Sequence, residues 1–248
     1  MDASTIKAEV QKHYAAIAVQ GNCGCSSDCC ADTTDEIIQL IDYGALDAEV
    51  VEGANLGLGC GLPTVSAGLR AGQTVLDLGS GAGIDVFLAA KAVGPTGHVI
   101  GVDMTPEMIE RARANAIKGD YPNVEFRLSE IEALPIEANS VDVVLSNCVI
   151  NLVPDKRRVY DEIHRVLRSG GHFSISDVVT YGPIPDAIRN DVELWTGCIA
   201  GAMDRDKYLR LIREAGFANV TIDKFVEYDN FKGGDYGVAS ITLEGHKV

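Results

Sequence analysis

Basic residues are scarce in this chain. Its 248 residues carry 21 lysines and arginines against 36 aspartates and glutamates, a formal charge of −15. A surface of that sign repels phosphate, which argues against nucleic acid and anionic membranes as partners and favours a small or uncharged substrate. No apolar run is long enough to span a bilayer. The opening Met-Asp-Ala-Ser-Thr has neither the basic nor the apolar region of a signal peptide. Internal repeats and low-complexity tracts are missing too. The expectation is a cytoplasmic protein in a reducing compartment, and a monomer. Its 7 cysteines, an odd number with four crowded between Cys23 and Cys30, do not read as a secretory disulfide framework. Thiol chemistry is the better expectation.

The chain is organised around Val75-Leu-Asp-Leu-Gly-Ser-Gly-Ala-Gly-Ile-Asp-Val-Phe-Leu-Ala-Ala90. This reads as a buried strand over 74–78, a turn rich in glycine (Gly79, Gly81, Gly83), and an apolar helix from Ile84. Such an order brings backbone close to a ligand at the carboxyl end of a strand, before a helix N-terminus. A second apolar strand, His98-Val-Ile-Gly-Val-Asp103, ends on an acid 20 positions after Gly83, where a carboxylate can bind a ribose hydroxyl pair. The glycines run G-x-G-x-G rather than G-x-G-x-x-G, and Asp77 stands just before them. A carboxylate there repels a pyrophosphate and attracts an ammonium group. S-adenosylmethionine has a ribose, an adenine and a cationic tail but no phosphate, so the loop favours a methyl donor over a dinucleotide.

The rest of the chain alternates strand and helix, the pattern of a parallel sheet with helices on both faces. Strands are expected at 124–128, 141–149 and 172–177, and helices at 105–118, 155–167 and 204–215. Segments 220–228 and 238–244 are expected to form a terminal antiparallel hairpin. Residues 4–20 have helical spacing, short helical pieces are expected near 35–41 and 47–53, and a helix over 186–195. The glycine-rich stretch 55–63 is irregular by composition. Residues 1–70 are then a helical, cysteine-bearing lid on a Rossmann-like α/β core over 71–248, into which the Cys198 region, 183–203, is inserted.

Three cysteines lie outside the N-terminal cluster. Cys148 ends the fourth strand, at the edge where ligands bind in this architecture. Cys60 and Cys198 lie in small-residue loops free to fold over that edge, and three converging thiols suit a soft, thiophilic centre. Taken singly, Cys148 in its apolar strand is as readily a core residue, a reading that suits Cys60 and Cys198 in their glycine-rich loops less well.

These residues resemble the arsenite S-adenosylmethionine methyltransferases. The resemblance rests on Leu58-Gly-Cys-Gly-Leu-Pro63, Leu76-Asp-Leu-Gly-Ser-Gly-Ala-Gly83, Gly101-Val-Asp-Met104, Ser146-Asn-Cys-Val-Ile-Asn-Leu-Val-Pro-Asp155 and the segment around Cys198. It implies a class I methyltransferase fold and methyl transfer to thiol-bound trivalent arsenic, a detoxification or biotransformation step. Cys60, Cys148 and Cys198 would be the arsenic ligands. Asp77, Gly79, Gly81, Asp103, Met104, Ile131 and Asn147 would line the S-adenosylmethionine site, with Met104 and Ile131 beside the adenine. It also implies an N-terminal relay cysteine. Cys29 fits that role first and Cys30 next, with Cys23 and Cys25 competing. Thioredoxin or glutathione would serve as reductant. Two other readings are open: a methyltransferase for a small organic acceptor, with His164 or His172 as its base, and a metalloid-binding module with an idle cofactor site.

Overall fold

The computed structural model describes residues 2–20, 43, 50–183, 195, 198–231, 233 and 235–248. Eight strands form one sheet: β1 Thr74–Leu78, β2 His98–Asp103, β3 Val124–Leu128, β4 Val141–Asn147, β5 Leu167–Tyr181, β6 Met203–Asp204, β7 Phe217–Glu227 and β8 Gly237–Lys247. Their order is β3-β2-β1-β4-β5-β8-β7, with the short β6 beside β5. The first five strands in that order run parallel, and β8 is antiparallel to both β5 and β7. The expected terminal hairpin is therefore present, inserted so that β8 rather than β7 meets the parallel sheet.

The helices follow from local chemistry. They are α1 Ala3–Gln20, α2 Pro63–Ser66, α3 Ile84–Val93, α4 Pro106–Lys118, α5 Lys156–Val166 and α6 Arg205–Glu214. Asp155 and Asp204 cap α5 and α6 by accepting from the backbone N–H of Arg158 and Lys207, each at 3.1 Å. Thr105 precedes α4 without capping it through its side chain. Helix α5 ends one residue earlier than its pattern implies, because Leu167 turns extended and opens β5. Residues 50–53 form a turn and no helix. The segments 35–41 and 186–194 lie outside the described residues.

Strand period divides the core between the two faces of the sheet. Leu76, Leu78 and Val144 face Val159, Tyr160 and Ile163 of α5 and Ile212 of α6. Val75, Val143 and Leu145 face Val86 and Phe87 of α3 and Ile109 of α4. All these strand residues are fully buried, each contributing about 1.5–3 kcal/mol. Strand β1 pairs with β2 on one side and β4 on the other. Crossovers diverge there, which opens a crevice beyond the carboxyl ends of β1 and β4. Helix α1 crosses that crevice. Lys7 bridges to Glu130 at 2.6 Å and Glu132 at 2.8 Å, Gln11 donates to the Met104 carbonyl, and Arg111 donates to the Ala18 carbonyl.

Candidate active site

The glycine turn is built from backbone that other residues resist. Gly79, Gly81 and Gly83 have φ of 69°, 50° and 103°. A Cβ on Gly79 would also lie 2.3 Å from the Val149 side chain. The turn leaves β1, donates from Gly79 and Ser80 to the Val102 carbonyl, and enters α3 through Gly83. Beside it opens a cavity of about 1020 Å³, counted with its mouth. Asp77, Gly79, Gly81, Asp103, Met104, Ile131 and Asn147, the seven residues singled out from the sequence, all line it. Val10 and Tyr14 of α1 close it from above.

Its electrostatics point to a cation. Asp77, Asp85 and Asp103 are buried around the cavity, and among the described residues no lysine or arginine pairs with any of them. Burial holds the Asp77 carboxyl well above its ordinary range, and the charges of Asp85 and Asp103 push it further. Asp85 is raised by burial against three donors: Thr64 Oγ1 at 2.5 Å, Tyr43 Oη at 3.1 Å and Asn147 Nδ2 at 3.1 Å. Asp103 is raised by burial while it accepts from the backbone N–H of Thr105 at 2.8 Å and of Gly81 at 3.0 Å. Asp85 is thus engaged by the protein, and Asp77 is the acid left to the cavity. Ser80 Oγ, also on the wall, is buried with no partner among the described residues. Sequence reasoning missed Asp85 and Tyr43. The one available signal was an acid in the first turn of an otherwise apolar helix.

The thiols gather next to this cavity. Cys60, Cys148 and Cys198 are buried in one cluster with Ile6, Val10, Leu152, Val178 and Tyr228. Cys148 and Cys198 have φ of 60° and 67°, a left-handed backbone that costs on the order of 1–3 kcal/mol for a non-glycine residue. The bend at Cys148 ends β4 and lets its N–H reach the Ser176 carbonyl at 2.9 Å. The Cys198 thiol donates to the Cys148 carbonyl at 3.2 Å. Cys148 is the middle member, its thiol influenced by both of the others. The three sulfurs do not all lie within 4.8 Å of one another, so a shared ion would draw the outer two inward. Cys148 alone of the three lines the cavity.

All three thiols are held protonated at neutral pH. Burial raises Cys60, against a hydrogen bond with Cys148 that lowers it. For Cys148 the hydrogen bond with Cys198 lowers the value, but that with Cys60, burial and nearby charge outweigh it. Cys198 is raised by its hydrogen bond with Cys148 and then by burial. The negative charge of the buried Asp177 disfavours the thiolate at every one of them.

Asn147 joins the two halves. Its Oδ1 accepts from the N–H of Cys60 at 3.0 Å and of Gly61 at 3.2 Å, while Nδ2 donates to Asp85, Tyr43 and the Gly61 carbonyl. Cys29, with Cys23, Cys25 and Cys30, lies outside the described residues. His164 and His172 do not line the cavity, so neither is placed as a base for a small organic acceptor.

The Methyltransferase domain family matches residues 69–216. An arsenite methyltransferase of Halobacterium salinarum is 49% identical over 96% of this chain and 66% of its own length. The mouse arsenite methyltransferase is 38% identical over 77% of this chain and 54% of its own length. This chain therefore spans between about half and just under two thirds of these curated relatives. The crystal structure of an arsenic (III) S-adenosylmethionine methyltransferase from Chlamydomonas reinhardtii superposes with a TM-score of 0.70 at 36% identity. That alignment covers 87% of this chain and 73% of the other. On these grounds the chain belongs to the arsenic(III) S-adenosylmethionine methyltransferase family.

Proposed function

We propose that this chain transfers the methyl group of S-adenosylmethionine to trivalent arsenic held by Cys60, Cys148 and Cys198. One observation carries the reading: Cys148 belongs both to the thiol cluster and to the cavity wall. S-adenosylmethionine, when bound, supplies an electrophilic methyl on a sulfonium sulfur. Asp77 would take its ammonium group, Asp103 the ribose hydroxyls, and Met104 with Ile131 the faces of the adenine. An unpaired acid and an unpartnered Ser80 hydroxyl on one wall fit such a ligand.

Protonated thiols suit arsenite, As(OH)₃, as substrate. Each As–S bond forms as an As–O bond breaks, and the thiol proton leaves on the oxygen as water. Three thiols release three waters and bury no charge, whereas three thiolates in this apolar cluster would be costly. Thiolate ligation leaves the arsenic lone pair free. That pair forms the As–C bond as the sulfur–methyl bond breaks, so the protein's part is positioning and exclusion of water. Val10, Met104 and Leu152 line the junction and keep it dry. Methyl transfer oxidises arsenic from trivalent to pentavalent. Two electrons return when two enzyme thiols close a disulfide, which exchanges with a relay cysteine, Cys29 first, and is reopened by thioredoxin or glutathione.

Incubation with arsenite, S-adenosylmethionine and a thioredoxin system, followed by chromatographic speciation of arsenic, tests the reading. Methylated arsenic is expected. Unchanged arsenite in the presence of bound S-adenosylmethionine would overturn it.

A further inference from the structure

A second set of ligating side chains sits on the β5–β8 pair, away from the cavity. Strand period places Glu244 and His246 on one face of β8, and the antiparallel register sets His172 directly opposite His246. The three therefore share a face. The imidazoles stack with centroids 5.3 Å apart at 28°. Nε2 of His172 lies 3.6 Å and Nε2 of His246 3.5 Å from the same Glu244 Oε1. One donor atom from each lies within 4.8 Å of the others, a grouping found nowhere else among the described residues.

We infer that His172, Glu244 and His246 bind one divalent transition-metal ion of borderline softness, with zinc as the natural occupant. Two imidazoles and a carboxylate are the donors such ions take, and imidazole disfavours magnesium and calcium. The spacing agrees: donors about 2.1 Å from a tetrahedral ion sit roughly 3.4 Å apart. Glu244 meets no lysine or arginine among the described residues. The side chains are 15%, 26% and 38% exposed for His172, Glu244 and His246, which admits an ion and leaves room for water as a further ligand. His172 Nε2 now lies 2.9 Å from the Ala67 carbonyl. Coordination through Nε2 takes the Nδ1–H tautomer and exchanges that hydrogen bond for the metal bond. The ion would clasp β8 onto β5 beside the end of α2. Ser176 pairs with Asn147 and stands four residues beyond His172. That is about 13 Å along the strand, so the clasp is separate from the thiols.

Cobalt titration of the full chain tests this, because cobalt in a nitrogen–oxygen site absorbs in the visible without the thiolate charge-transfer band of a cysteine site. One equivalent with visible d–d absorption and no accompanying charge transfer is expected. His246→Ala and Glu244→Gln should each weaken it at least tenfold. Visible absorption that always accompanies charge transfer, or that survives both substitutions, overturns the assignment. Diethyl pyrocarbonate labelling of the wild-type chain, read by peptide mass, gives a measurement without substitutions. Zinc should protect His172 and His246 but leave His98 reactive, and equal labelling with and without zinc would refute the site.

Discussion

The cavity wall and the thiol cluster are both buried, yet burial acts on acids in one and on thiols in an apolar setting in the other. At the wall, burial raises the carboxyls of Asp77, Asp85 and Asp103 alike, and the charges of Asp85 and Asp103 add to it at Asp77 alone. In the cluster, Cys60, Cys148 and Cys198 stay neutral as thiols. One half presents carboxyl groups and the other neutral thiols. They meet at the adjacent residues Asn147 and Cys148.

Cys148→Ser gives the sharpest separation of the two halves. Losing the middle ligand should weaken arsenite at least on the order of a hundredfold, since the chelate loses its shared point. S-adenosylmethionine affinity should not change. Equilibrium dialysis with elemental mass detection for arsenic, and calorimetry for the methyl donor, would read both. Loss of both affinities would break the division drawn here.

Asp77→Asn acts on the other half. Removing a charged hydrogen bond of about 1.5–3 kcal/mol should weaken S-adenosylmethionine roughly ten- to a hundredfold and leave arsenite binding in place. The sign of the pH dependence follows from the raised carboxyl. A cation favours ionised Asp77, so affinity for the methyl donor should climb as pH rises toward the carboxyl's free value and then level off. The variant should be flat over that range, and calorimetry from pH 5 to 8 would show it.

Asn147→Ala strikes the joint. The backbone N–H groups of Cys60 and Gly61 lose their acceptor and Asp85 loses a donor. Arsenite affinity should fall about tenfold, by roughly 1–2 kcal/mol, with a smaller loss for S-adenosylmethionine. An effect on the methyl donor alone would mean that Asn147 serves only the cavity.

The smallest expected effect concerns Asp177, behind the thiols. Tyr208 and the Val178 N–H donate to it, yet burial pushes its carboxyl from 3.8 up to about 7. A raised carboxyl stabilises the fold fully below the unfolded value and loses that contribution as pH climbs through the folded one. The melting temperature should therefore fall by a few degrees between pH 4 and 8. Asp177→Asn should flatten the slope, measured by calorimetry across that window. An unchanged slope would place the raised carboxyl elsewhere.

Much of this was legible along the chain because its causes are local. Strand period, the glycine turn and the acid ending β2 depend on neighbours in sequence, and Asp77, Gly79, Gly81 and Asp103, read from such signals, line one cavity with Met104, Ile131 and Asn147, which the resemblance implied. The misses have the opposite character. Asp85 reads as a buried misfit in α3 until Thr64, Tyr43 and Asn147 surround it. Leu167 continues a helical pattern, but pairing with Val141 makes it strand.

The residue types, their order and the backbone that glycine permits were set by the sequence alone, and with them the sheet, the ligand edge and the choice of a cation over a phosphate. Which thiols lie together, and that they stay protonated, was decided only in three dimensions. Cys60, Cys148 and Cys198 are 138 positions apart from first to last. Their burial, their hydrogen bonds and the charge of Asp177 arise only once β4, β5 and the flanking loops pack. A pKa belongs to a place, and the fold makes the place.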